Sequence, residues 1–188
     1  MSAESDAYAD ACAALAEAVL AAINDPADAV RVLLPLTAWQ PPAIPGAGPL
    51  AAKSRAQQDA IADSLRCAAC AALAEATRLY QPASYQDAQA LRTTVCAALD
   101  AEATICADAG RSASFAALRD LRAAVAMDLA VRGANLAWLV EVSTPVSVPS
   151  LAEAWRLYQD TTREPGLVAS AQPANPLFMP LEFEALTQ

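Results

Sequence analysis

The sequence predicts a mainly α fold, an Ala-rich antiparallel helical bundle followed by a small β-α-α-β module. Three observations carry that expectation. Between Ser2 and Leu136 apolar residues recur at helical spacing over long stretches. From Leu50 onward the connections between those stretches are short and marked by Pro, Gly or Ser. After Leu136 the pattern changes to two short alternating stretches that bracket a pair of amphipathic turns.

The first helix is expected from Ser2 to Ile23. Tyr8, Cys12, Leu15, Val19 and Ile23 share one face, and Glu4, Asp6, Asp10 and Glu17 fall mostly elsewhere. Asn24, Asp25 and Pro26 end it. Asp25 as N-cap and Pro26 at the first helical position open a short second helix through Val30 and Leu34, which Pro35 should end. From Thr37 to Pro49 the prolines 41, 42, 45 and 49 with Gly46 and Gly48 forbid a regular element and favour an extended connector. Its apolar anchors are Trp39 and Ile44. Either they stitch a loop to the bundle, or the segment is a strap that reaches a neighbouring subunit.

The longest helix should start between Leu50 and Ser54, with Ser54 and Gln57 as a capping box, and run to about Tyr80. Its stripe is Ile61, Leu65, Ala68 or Ala69, Ala72, Ala76 and Leu79. Ser84 caps a helix that turns Leu91, Val95, Leu99 and Cys106 inward, and Gly110 closes it. Ser112 or Ser114 caps the next, whose buried side is Phe115, Leu118, Val125 and Leu129. Short links between long helices favour antiparallel neighbours, which predicts an up-down-up arrangement over 50–136.

Trp138 to Ser143 alternates apolar and polar residues and includes two valines, the period-2 signal of a half-buried strand. Pro145 and Pro149 break the chain. Ser150 and Glu153 then form a capping box for the run Leu151, Ala154, Trp155, Leu157 and Tyr158. Arg163 to Ala171 supplies further helical turns, with Pro165 confined to the first of them. Leu181, Phe183 and Ala185 alternate with Glu182 and Glu184 as a second strand. The organisation is therefore 1–36 N-terminal helices, 37–49 connector, 50–136 bundle and 137–188 module.

Composition narrows the function. The chain is 56% hydrophobic but only 5% aromatic, so it predicts slender, closely packed helices rather than a thick core. No apolar run approaches the roughly 18–20 residues of a membrane span, and acids occupy the start of the chain where a signal peptide carries Lys or Arg. Net charge is −9. The locally basic stretch is Arg111, Arg119, Arg122 and Arg132, and the acidic remainder would repel a duplex, which makes nucleic acid a poor partner for this chain. With no His, no Gly-rich phosphate loop and no G-x-S-x-G, the sequence offers no catalytic or cofactor constellation, and an enzyme is the weakest class. Cys67 and Cys70 have metal-like spacing, but a zinc site would need two more ligands from Cys12, Cys96 or Cys106. Small buried residues on a helix seam are the expectation there, and no metal is assigned. The acid pairs Glu182 with Glu184 and Asp100 with Glu102 read as solvated charge.

The order β, α, α, β with an Ala-Asn-Pro turn before the last strand resembles a LysM-type module. A narrower resemblance runs from Leu121, Arg122 and Val125 through Asp128, Leu129, Arg132, Gly133, Ala134 and Leu136, then Pro149, Ser150 and Leu151, then Arg156, Leu157, Tyr158 and Asp160, to Asn175, Pro176, Phe178, Pro180, Leu181 and Glu182. This wording is similar to the C-terminal half of the Mu-like phage DNA circularisation proteins, which are tail-associated proteins of contractile-tailed phages and prophages. Two departures stand out. Ser170 to Asn175 holds no cation where the family carries an Arg-Asn pair and an Arg-His, and Met1 falls where the family's N-terminal domain should already have ended.

The resemblance implies a structural component of a contractile phage or phage-derived tail or baseplate hub. It would act through contacts with copies of itself and with other tail proteins, in the virion and, during assembly, in the host cytoplasm. The candidate contact residues are Trp39, Ile44, Trp155, Tyr158 and Phe178. The family's name implies a second reading, binding and protection of phage DNA ends through Arg111, Arg119, Arg122 and Arg132. A third is peptidoglycan binding by the LysM-like module, although Thr144 to Ser147 stands where such modules carry a Gly-Asp-Thr turn.

Overall fold

In the computed structural model, the structure describes residues 3–187, with the backbone alone for Ala3 to Asp6. The helix start expected at Ser2 and the side chains of Glu4 and Asp6 lie outside the described residues, as do Met1 and Gln188. The protein is mainly helical with a small two-stranded antiparallel sheet. The elements in order are α1 Ala3–Ala22, α2 Pro26–Thr37, α3 Pro49–Leu79, α4 Tyr85–Asp108, α5 Ser112–Gly133, β1 Leu139–Ser143, α6 Ser150–Tyr158, a 3-10 turn Thr161–Arg163, α7 Glu164–Ala171 and β2 Glu182–Leu186. No helix among the described residues is long and apolar enough to cross a membrane.

The chain divides into two compact units. The first comprises residues 1–81 and 90–130, the second 82–89 and 131–188. Residues 82–89 and 131–136 thus group with the C-terminal module, where the sequence assigned them to the helical region.

In the first unit, several expected signals act as their chemistry requires. The Asp25 carboxylate accepts from Ala27 N at 2.9 Å, with Pro26 following at the first helical position. Gly110 (φ +70°) ends α4. Its N–H donates to Ala107 O and that of Arg111 to Cys106 O, the paired bonds of a Schellman motif, which needs a left-handed residue at this point. The core gathers Leu33, Cys70, Leu73, Val95, Leu99, Cys106, Leu118, Val125 and Leu129. Val95, Leu99, Cys106, Leu118, Val125 and Leu129 are the expected inward residues of α4 and α5.

Other expectations need correction. On α1, Cys12 and Ala16 are buried while Tyr8 and Leu15 are exposed, so the inward stripe runs through Cys12, Ala16, Val19 and Leu20. Pro35 does not end α2, which continues to Thr37. A proline two residues from a helix end forfeits only one intrahelical bond, its own to the carbonyl four residues back, and the last turn is closed by the Thr37 hydroxyl donating to Leu34 O. α3 starts at Pro49 behind Gly48, so Ser54 lies inside the helix and no capping box forms there. α5 likewise starts at Ser112, which places Ser112 and Ser114 inside it. Ile61 and Leu79, at the two ends of the α3 stripe, are exposed, and Leu73 is fully buried at its centre.

The 38–48 connector is tied down through its carbonyls. Arg55 donates to Ile44 O at 3.3 Å and Gly46 O at 2.7 Å, Gln58 to Pro42 O at 2.9 Å and Arg66 to Trp39 O at 3.3 Å. It is stitched to α3 by polar donors, with the Trp39 and Ile44 side chains only half-buried.

In the second unit, Ser84 Oγ accepts from Asp87 N at 3.1 Å and the Asp87 carboxylate from Ala83 N at 2.9 Å, a reciprocal cap on α4. Gln86 bridges the Leu139 carbonyl and N–H, and the Tyr85 ring stacks on Trp138 with centroids 4.1 Å apart. Trp138 precedes β1 rather than belonging to it. β1 pairs with β2 in antiparallel register, Val140 opposite Ala185 and Val142 opposite Phe183. Residues opposite one another share a face. Phe183, Ala185 and Val142 therefore meet Ala154 and Leu157 of α6 and Leu167 and Ala171 of α7 in one small core with Met179. Glu182 and Glu184 face outward as expected, and Glu141 sits directly across from Glu184. Leu181 is exposed because it precedes the strand.

The Ser150–Glu153 capping box is absent. α6 begins at Ser150 behind Pro149. The Ser150 hydroxyl donates instead to Glu164 Oε1 at 2.6 Å, and the buried Glu153 carboxylate accepts from Arg156 Nε at 2.7 Å. Both members of the box are claimed by other partners.

Candidate functional site

Two regions concentrate functional chemistry, one in each unit. In the first unit it is a buried polar cluster between α3 and α4. Positions 95, 99, 102 and 106 fall on one face of α4, because residues three and four apart are neighbours on a helix. Glu102 is therefore carried into the core with Val95, Leu99 and Cys106 and is fully buried. This corrects its reading as solvated charge. Asp100, off that face, is exposed to the extent of 45% of its side chain and pairs with Arg122 at 2.8 Å.

Glu102 is balanced from α3. Arg66 Nε donates to Glu102 Oε2 at 2.6 Å, and the same guanidinium reaches Asp63 and the Trp39 carbonyl. Burial alone would pull the Arg66 guanidinium down, but Glu102 and Asp63 hold it above its usual range. The other carboxylate oxygen, Oε1, faces two thiols, Cys67 Sγ at 3.7 Å and Cys106 Sγ at 3.8 Å. Burial, with the neighbouring Cys106 and Glu102, pushes the Cys67 thiol up to about 12. Burial does the same to Cys70, also about 12, and raises Cys106. As thiols these groups are poor nucleophiles. Cys70 occupies the buried seam expected of it, whereas Cys67 is half-buried and turned to Glu102.

The four candidate phosphate-binding arginines are largely engaged elsewhere. Arg111 pairs with Asp63 at 3.0 Å, Arg122 with Asp100, and Arg119 lies 5.9 Å from the Phe115 ring centroid. Arg132, half-buried in the second unit, also has a partner.

In the second unit the feature is apolar. The segments 144–150 and 176–181 are zipped by Thr144 N to Leu181 O at 2.7 Å, Met179 N to Val148 O at 3.0 Å and Ser150 N to Pro176 O at 2.7 Å. Met179 is buried beneath this pairing. Val146, Leu151, Leu177, Phe178 (68% exposed) and Leu181, within or next to these segments, are all exposed. Trp155 (59% exposed) lies one helical turn from Leu151 on the same face of α6. Of the expected contact residues, Trp155 and Phe178 are thus open. Tyr158 is half-buried beneath the Arg163 guanidinium, 4.1 Å from its ring centroid.

Compared with protein-family models and with curated proteins, the chain matches none.

Proposed function

We propose that the protein is a structural component of a contractile phage or phage-derived tail or baseplate hub and acts through protein–protein contacts. The observation that carries the contact reading is the exposure of Val146, Leu177, Phe178 and Leu181 on one pair of hydrogen-bonded segments, together with Leu151 and Trp155 on the helix that follows the first of them. Grouped large apolar side chains of this kind mark interaction sites in folded proteins. The assignment to a tail rests on the sequence resemblance. It is supported by the order β1, α6, α7, β2 with both helices on one sheet face, which suits a LysM-like module reused for docking. In this reading α3 to α5 form an antiparallel bundle, and the module meets a second copy or a neighbouring tail protein.

Binding of DNA ends is the weaker alternative, because Arg111 and Arg122 are paired with carboxylates and the net charge is −9. It predicts retardation of duplex DNA that weakens steeply with salt. Peptidoglycan binding predicts co-sedimentation with cell-wall sacculi that survives salt. The deciding experiment is mass spectrometry of intact particles purified from a producing host. The chain is expected in the tail fraction at fixed stoichiometry, and its absence from particles would overturn the proposal.

A further inference from the structure

We propose that Cys67, Glu102 and Cys106 bind a single zinc ion that ties α3 to α4. The two sulfurs lie 3.7 and 3.8 Å from the same oxygen of Glu102, and all three ligand atoms lie within 4.8 Å of one another. Tetrahedral zinc, with bonds of about 2.3 Å to sulfur and about 2.0 Å to oxygen, sets edges of roughly 3.5 Å for S···O and roughly 3.8 Å for S···S. The S···O edges thus need to close by only a few tenths of an ångström.

The surroundings supply what such a site requires. Arg66 holds the second oxygen of Glu102, and is itself held by Asp63 and the Trp39 carbonyl, so Oε1 is aimed at the sulfurs. Outer hydrogen bonds of this kind orient metal ligands. Zinc displaces one proton from each thiol, two charges entering as two leave. The net charge of the buried cluster is unchanged, and Arg66 still balances Glu102. Cys67 also lines an open cleft of about 600 Å³ with Asp63, Arg111 and Ser112, through which an ion can arrive and water can take the fourth position. Two sulfur ligands select zinc over magnesium or calcium. A plain helix seam accounts for Cys70, but not for two thiols converging on one buried carboxylate.

The test uses the full chain, reduced and stripped of metal, titrated with Zn²⁺ by calorimetry and with Co²⁺ by absorbance. One equivalent of each is expected, with thiolate-to-cobalt charge-transfer bands in the near ultraviolet. Cys67→Ser and Cys106→Ser should each weaken binding at least roughly 100-fold, beyond what loss of an outer-shell contact does, while Cys96→Ser leaves it unchanged. Far-ultraviolet dichroism checks folding. If Cys106→Ser does not fold, Cys67→Ser, at the half-buried position, decides. Absence of saturable binding, binding that survives the loss of either thiol, or equal binding of Mg²⁺ would each overturn the site.

Discussion

Replacing Glu102 by Ala removes one half of an ion pair that the fold has taken out of water. The Glu102 side chain is 0% exposed and that of Arg66 8%, so the guanidinium left behind cannot recover its hydration. Breaking a buried pair from one side costs roughly 3–5 kcal/mol. Asp63 and the Trp39 carbonyl still accept from Arg66, which places the expected loss near the lower end, about 3 kcal/mol. For a chain of this length each kcal/mol moves the midpoint by roughly 2–4 °C, so thermal unfolding should fall by roughly 6–12 °C. Urea titration of the reduced, metal-free protein followed by dichroism gives the same quantity at constant temperature. The double variant Arg66→Met with Glu102→Leu removes both charges and should return to within about 1 kcal/mol of the parent. A single variant within about 1 kcal/mol of the parent, or a double variant as unstable as the single, would refute the claim that this pair is buried and mutually dependent.

Three further outcomes follow from the same structure. Leu73→Ala, at a fully buried site in the α3 core, should cost about 3 kcal/mol in urea unfolding; a loss under about 1 kcal/mol would contradict its placement. Ser84→Ala removes the acceptor for Asp87 N and should cost about 1 kcal/mol, read by thermal unfolding, with no change if the cap is not formed. The buried thiols make a pH prediction for the metal-free, reduced chain. Cys67 and Cys70 hold their protons up to about 12, against 9 for an ordinary thiol, so between those values the folded chain binds more protons than the unfolded one. Their contribution is complete below pH 9 and is lost as pH rises through that window. The urea midpoint should therefore fall from pH 8 to pH 10, and fall less in Cys70→Ala; equal profiles for the two proteins would count against it.

Local chemistry was legible in the sequence wherever a residue type has one dominant use. Asp25 before Pro26, Ser84 at the start of α4, and Gly110 after α4 each did what their backbone or capping chemistry allows. The alternation around Phe183 and Ala185 gave the second strand, since period 2 cannot be confused with a helix face. The phase of the Ala-rich helices was less legible. Alanine stands on every side of α1, so the contrast between faces is small, and Leu15 was placed inward although Ala16 takes that role. The α3–α4 cluster was half visible. Spacing drew attention to Cys67 and Cys70, but the partners of Cys67 are Glu102 and Cys106, on another helix and far along the chain. The available signal was that Glu102 continues the stripe Val95, Leu99 and Cys106, with Arg66 as a charge of opposite sign on the neighbouring helix. The exposed surface of the second unit was legible only in part. Trp155 and Phe178 stood out by size, whereas the backbone pairing that sets the segment of Leu177, Phe178 and Leu181 beside the segment of Val146 is a tertiary fact.

The central proposal, that the C-terminal unit is a docking surface, is tested most directly by molar mass in solution. Light scattering on the purified chain at two concentrations should give a discrete oligomer or a stable complex with a co-expressed tail protein. The pair Trp155→Ser and Phe178→Ser, both at exposed positions, should reduce it to the 19.5 kDa monomer without loss of helix. A monomer at both concentrations that also forms no complex with any co-expressed tail protein, or an oligomer indifferent to both substitutions, would contradict the account.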